Sequence, residues 1–284
     1  MNTQSTYGDR NSYFQSMYDL ALKNALTAEK ICAVDNTEQK YIQNPYGSTP
    51  TATIQAVAGT YSVSAWTVTD DALTVTDEVT VGEHIYKHED AFSRFDLQMN
   101  RIDAMTYAVA YGIDKFVLNN LCEDATGAYT TPAGGFTTSA NVPVILSNIV
   151  STVAGYAPDL TNGMYLVIEN TDLVGFIQFG VNAGFSFADA VLNNGKVTSI
   201  IGVDIYVVRS GTFVSATIGT TTVTNSGHRV AGVKNMATYA SPRGITYDEK
   251  QVTGKTGFEM NVNGLIGFKL WAVKAGTQID ITLA

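Results

Sequence analysis

Charge is the scarcest ingredient of this chain. Of its 284 residues only 15% are Asp, Glu, Lys or Arg, against roughly 25% in ordinary soluble domains. Threonine fills part of the gap, with 35 copies beside 25 glycines. A monomer this large needs a solvated surface. Either Thr, Ser and Asn supply it, or partners cover much of it. Basic runs are missing: no two Lys or Arg residues are adjacent, and the formal net charge is −9. An electrostatic grip on a nucleic-acid backbone is therefore not expected. Long apolar runs are missing as well, so no segment reads as a membrane span. The polar opening MNTQSTYGDRNSYFQS lacks a basic patch before an apolar stretch and does not read as a signal peptide. Only two cysteines occur, Cys32 and Cys122, in unrelated segments. That spacing points to reduced, structural thiols.

Catalytic constellations are also missing. His84 and His88 in GEHIYKHED share the spacing of a zinc helix motif, but Glu is not where that motif needs it. TGKTG (253–257) ends like a phosphate loop, yet Glu249 stands where the first Gly is required and a strand pattern follows. Ser151, Ser186 and Ser199 have no nucleophile-elbow setting. Asp70-Asp71 reads as turn chemistry. Nothing assembles a nucleophile, a base and an oxyanion site. No enzyme activity, cofactor or metal is expected.

What is present is a folding chain, 45% hydrophobic. Residues 12–34 read as a modest helix, and NPYGSTPT (44–51) as an extended connector. Over 52–87 the period changes to alternation: Tyr61, Val63, Ala65, then Leu73, Val75, then Val79, Val81, Ile85. This predicts a Thr-rich β-ribbon, marginal alone and in need of something to lie on. Phe95, Met99, Ile102, Met105, Val109, Ile113 and Phe116 then step by three and four. That is the stripe of a helix of about 30 residues. Its polar face carries Arg94, Asp96, Arg101, Asp103, Asp114 and Lys115.

Beyond a loop at 127–141, Val144–Ala154 reads as a helix and Gly163–Ile168 as a buried strand. A short helix follows over Asp172–Phe179, then a buried strand over Ile201–Val208. Val230–Tyr239 and Gly244–Val252 read as strands. Residues 258–263 form another that turns at Asn263-Gly264 into Leu265–Val273. Ile279–Leu283 is the last strand. Charge is uneven: 51–88 sums to −4, 228–284 to +3, and 126–227 holds only seven charges.

The order of these parts resembles one family, the tailed-phage major capsid proteins of the Hong Kong 97 fold. The passage ALTVTDEVTVGEHIYKHEDAFSRFDLQMNRIDAMTYAVAYGIDKFVLNNL (72–121) resembles that family's extended loop running into its spine helix. GMYLVIENTDLVGFIQFG (163–180) is similar to the axial domain's central strand and following helix. NGKVTSIIGVDIYVVRS and HRVAGVKNMATYA resemble the later strands of the same fold. The resemblance implies an α+β chain: N-terminal arm 1–54, extended loop 55–88, peripheral domain with spine helix 89–140, axial domain 141–240, and peripheral strands 241–284.

It also implies a structural protein that assembles with itself, as hexamers and pentamers, into an icosahedral virion shell enclosing double-stranded DNA. Assembly would take place in the host cytoplasm, with portal, scaffolding or decoration proteins as further partners and no membrane. On this reading the acidic ribbon residues Asp70, Asp71, Asp77 and Glu78 would meet basic Lys250, Lys255, Lys269 or Lys274 of a neighbour. Some members cross-link a ribbon lysine to a neighbour's asparagine. Here no lysine lies between Lys40 and Lys87, so a covalent mesh is not expected. Two alternatives stand beside this reading: an encapsulin-like nanocompartment of the same fold, and a Thr-rich extracellular adhesin or decoration protein.

Overall fold

Among the described residues, hydrophobic spacing sorts the chain into one long helix, two large sheets, a narrow ribbon and a separate two-stranded hairpin. The computed structural model describes residues 15, 26–47, 54, 67–86, 97–155, 162–182, 196–200, 202–242, 244–250 and 256–284. A one-turn helix α1 (Ala28–Ile31) leads to β1 (Ala33–Asp35), β2 (Tyr41–Gln43) and β3 (Tyr46–Gly47). Then come β4 (Val68–Thr69), β5 (Ala72–Thr74), β6 (Asp77–Ile85) and the long helix α2 (Leu97–Asp124). β7 (Gly127–Thr130), α3 (Asn141–Ala154), β8 (Met164–Glu169), α4 (Leu173–Asn182), β9 (Lys196–Ile200) and β10 (Val203–Val208) follow. The remainder is β11 (Ser215–Ile218), β12 (Thr221–Thr224), β13 (His228–Val233), β14 (Ala237–Ala240), β15 (Thr246–Lys250), β16 (Phe258–Leu270) and β17 (Gln278–Thr282).

The first sheet runs β1-β14-β16-β15, with β6 also paired to β16. Met260 and Val262 of β16 are buried while their neighbours are only partly so, the two-residue period of a one-sided sheet. α2 covers this face. Its Ile102, Met105, Val109, Ile113 and Phe116 join one core with Tyr239, Met260, Val262 and Leu270. Each such side chain contributes roughly 1.5–3 kcal/mol by leaving water. Phe95 lies outside the described residues, as does the side chain of Met99.

The turn expected at Asn263-Gly264 does not form. β16 is one unbroken strand, because β6 pairs along it from Phe258 to Ile266, with Asn263 opposite Thr80 and Gly264 opposite Val79. Gly264 serves close approach instead: a Cβ there would sit 2.9 Å from Ile245 Cγ1.

The second sheet runs β7-β17-β13-β8-β10-β9. β8 is central, pairing parallel with β10 and antiparallel with β13. Tyr165, Leu166, Val167 and Ile168 are all fully buried, which is why the sequence shows a run there and not an alternation. α3 and α4 supply the second core, with Val142, Ile145, Leu146, Ile149 and Phe176 against Leu166, Ile168, Val203 and Ile205. α2 touches β6 and β16 of the first sheet and β13 and β17 of the second, so it bridges them.

Val230–Tyr239, expected as one strand, is two. β13 belongs to the second sheet and β14 to the first. Between them Asn235 takes φ 62°, a conformation that Asn tolerates better than most residues. The arm differs as well. Within 26–34 the expected helix shrinks to α1, and Ala33–Asp35 pairs with Thr238–Ala240 as a strand. Of residues 12–25 only Gln15 is described. Its side-chain amide donates to Ile245 O at 2.8 Å and accepts the Tyr247 N–H. The loop expected at 127–141 opens with β7, which pairs parallel with β17.

Candidate functional site

The ribbon has a different outgoing strand from the one the sequence suggested. Residues before and within the expected connector form it: Tyr41–Gln43 pair with Thr74–Ala72, and Tyr46-Gly47 with Thr69-Val68. Asn44 N–H donates to Asp71 O at 2.8 Å, and Val75 N–H to Lys40 O at 2.9 Å, closing a continuous ladder. Pro45 is tolerated because this strand lies at an edge. β6, expected in the ribbon, is instead a strand of the first sheet. Of residues 48–66 only Ile54 is described.

A two-strand ribbon is marginal in water. This one is rooted. Leu73 and Val75 are buried with Ala240, and Ile42 and Trp271 pack against them. Gly267 of β16 admits them, since a Cβ there would lie 3.1 Å from Val75 Cγ2 and 3.2 Å from Leu73 Cδ2.

Asp71 clamps the root. Its carboxylate lies 3.2 Å from Lys269 Nζ and accepts the N–H of Ala272 at 2.8 Å and of Ala72 at 3.0 Å. Burial works to raise its carboxyl, but the Ala272 N–H and the Lys269 ammonium outweigh it and hold it below the ordinary carboxylate value. Asp71 and Lys269, expected to meet across an interface, thus meet within one chain. Asp77 is buried too. It accepts the Thr220 N–H at 2.7 Å and the Thr76 hydroxyl at 2.9 Å, and so pins the β11–β12 turn to β6. Asp70, Glu78 and Lys250 are exposed, and Lys274 is half-buried. Lys255 lies outside the described residues.

Two buried acidic arrangements were not anticipated. Asp114 was read as part of the solvated face of the long helix. It is buried, and it accepts the N–H groups of Thr27 (3.0 Å) and Ala28 (2.8 Å). It therefore caps α1 from another element and ties the arm to α2. Burial pushes its carboxyl up to about 6, against those N–H bonds and the Lys30 charge. Its one signal was position, beside Ile113 and Val117 at the border of the apolar stripe.

The second arrangement is a buried triad. Arg229 Nε donates to Asp172, and Nη2 donates to Glu169 Oε2 at 3.1 Å. Glu169 Oε1 also accepts the N–H of Gly211 (3.0 Å) and Phe213 (3.2 Å). The guanidinium lies 5.4 Å from the Phe213 ring centroid. Only the Glu169–Asp172 spacing, a capping box at the start of the turn before α4, was local enough to read from sequence. Both cysteines are buried and free, and burial raises both thiols. Among the described residues no three His, Cys, Asp or Glu side chains are grouped to hold a metal.

As a whole the chain shares the fold of phage capsid structures, the Hong Kong 97 type. The chain is similar to the capsid of cyanophage P-SCSP1u, at 15% identity and TM-score 0.67 over 89% of this chain and 86% of that one. It is similar to a Mycobacterium phage Che8 structure at 16% identity and TM-score 0.63, over 92% and 90% of the two chains. A virus-like particle from Pyrococcus furiosus aligns over 96% and 99% at 8% identity and TM-score 0.63. No protein-family model and no curated protein matches the chain.

Proposed function

We propose that this chain is the major capsid protein of a tailed phage, a structural subunit that closes with copies of itself into an icosahedral shell around double-stranded DNA. One observation carries the reading. The chain matches the capsid structure of cyanophage P-SCSP1u along 89% of its length and the Mycobacterium phage Che8 structure along 92%. In this reading the first sheet with α2 is the peripheral domain, and the second sheet with α3 and α4 is the axial domain. The copies form hexamers and pentamers, assemble in the host cytoplasm, and take a portal and scaffolding or decoration proteins as partners. The net charge of −9 suits a wall that contains DNA without gripping it.

The proposed interface pairing narrows to the exposed acids, Asp70 of the ribbon and Glu78 of β6, facing Lys250, Lys255 or Lys274 of a neighbour. The test is negative-stain microscopy of the purified chain. Closed, uniform shells are expected; a dispersed monomer under all salt and concentration conditions overturns the reading.

A second reading, an encapsulin-like shell loaded with a protein cargo, draws on the near-complete alignment with the Pyrococcus furiosus particle. Its mark would be purified shells holding protein and no DNA.

A further inference from the structure

α4 is uncharged on every side and mostly apolar. Its sequence, LVGFIQFGVN, contains no charged residue, and neither does that of α3, NVPVILSNIVSTVA. Helices of that kind are normally enclosed. One face of α4 is. Gly175 lies so close to Phe136 that a Cβ would collide with its carbonyl oxygen. Phe176 stacks on Phe136 with ring centroids 5.6 Å apart.

The opposite face is open. Val174, Ile177 and Val181 are 53%, 43% and 72% exposed, and Gln178 lies between them. Their spacing of three and four makes one stripe along the helix. Val144, 45% exposed on α3, adds to the apolar surface of this helical layer. The Gly175 contact and the Phe136–Phe176 stack fix α4 in place, so the stripe is a fixed feature of the surface.

The chemistry of the surroundings selects the occupant. A helix that rests on lipid carries Lys or Arg on its polar face, and α4 has none. A foreign protein recognised by charge would find little to read. Residues 126–227 hold seven charges, and three of these are committed: Glu169 and Asp172 to Arg229, and Asp204 to Lys234. A second copy of this chain brings the same charge-poor chemistry, 15% charged overall, to whichever surface meets the stripe. An uncharged stripe is then matched without leaving a partner's charge desolvated and unpaired. Size agrees. Three part-exposed side chains offer a few hundred Å² at most. A stable pair needs roughly 800 Å² per partner. The stripe is therefore one segment of a larger contact.

We infer that the Val174–Ile177–Val181 stripe is a contact between neighbouring copies of this chain in the assembled particle. The inference rests on the shell-protein reading and adds to it the surface and the side chains.

The two buried native thiols leave a clean background for a test. Ile177→Cys places one accessible thiol in the stripe. A maleimide dye should label it in unassembled chain from size exclusion, with labelling lost in intact shells to the level of the native cysteines. In parallel, Val174→Asp/Val181→Asp should leave thermal unfolding of the free chain unchanged and abolish shells. Shells that form normally from the double variant, or an Ile177→Cys thiol that labels equally in shells, overturn the stripe and leave the shell reading standing. Protection that appears only on adding a second purified protein overturns it likewise. A wild-type chain that never forms shells overturns both.

Discussion

Replacing Arg229 with Met would remove the cation from the buried triad while keeping most of the side chain's volume. Arg229 is 4% exposed, Glu169 8% and Asp172 3%. With the guanidinium gone, two carboxylates stay sealed beside each other. Glu169 keeps the N–H groups of Gly211 and Phe213, and Asp172 keeps the Glu169 N–H at 3.1 Å. Those bonds do not neutralise two charges. Breaking a buried pair from one side costs about 3–5 kcal/mol, which for a chain of this size lowers the melting temperature by on the order of 10 °C.

The assay is thermal and urea unfolding of the unassembled chain, with hydrogen exchange as a local probe. The Gly211 and Phe213 amides should exchange faster in the variant, because their acceptor loses its anchor. The partner variant Arg229→Met/Glu169→Gln/Asp172→Asn removes the stranded charges and should recover more than half of the loss. A single variant within about 1 kcal/mol of wild type would refute the argument, since the three groups would then not depend on one another.

Asp114 should give the free chain an inverse pH response. Its folded value of about 6 lies above the ordinary one, so the folded state holds the proton more tightly. Stability contributed by this group therefore rises as pH falls from 7 through 6 toward 4, by at most roughly 3 kcal/mol. Urea midpoints at pH 7 and 5 should show this in wild type and a flatter response in Asp114→Asn. Gly175→Ala should destabilise the second sheet by about 3 kcal/mol through its clash with the Phe136 carbonyl, read as an early unfolding step. Asp71→Ala should cost less than about 1 kcal/mol, since the pair is partly exposed, yet it should speed tryptic cleavage at Lys40 by loosening the ribbon root. With no lysine between Lys40 and Lys87, boiled particles should run on a denaturing gel as monomers only; a ladder of covalent oligomers would overturn that expectation.

How legible the molecule was in its sequence depended on the range of each signal. The long helix showed itself because Ile102 to Phe116 repeat at three and four, a period set by one element alone. β8 showed itself because both faces are covered. Asn263-Gly264 misled because turn preference is local, while the strand that holds β16 straight, β6, lies some 180 residues earlier in the chain. The outgoing ribbon strand hid behind Pro45 and Gly47, residues that an edge position tolerates. β13 and β14 looked like one strand because an apolar run does not say which sheet it joins. The Arg229 triad was invisible because its members meet only across 57 and 60 residues of chain. Asp71 and Lys269, counted among the acids and lysines expected to meet across an interface, meet within one chain, because charge tallies by segment cannot distinguish a neighbour's lysine from the chain's own.

The crossing from β13 to β14 bears on what the chain could do as the proposed shell subunit. A polypeptide that passes between two sheets in three residues could have left a joint there. Instead the crossing is riveted: Lys234 N–H donates to Gly163 O at 3.0 Å, and Asn235 N–H to Ile31 O at 2.8 Å. With α2 lying across both sheets, the body behaves as a single tile. In the proposed shell, tiles that met five neighbours at one place and six at another could not bend in the middle to suit, so the adjustment would be made at their margins. The ribbon, rooted on Leu73, Val75 and the Asp71–Lys269 pair, and the arm, tied down through Asp114 and Gln15, are two such margins.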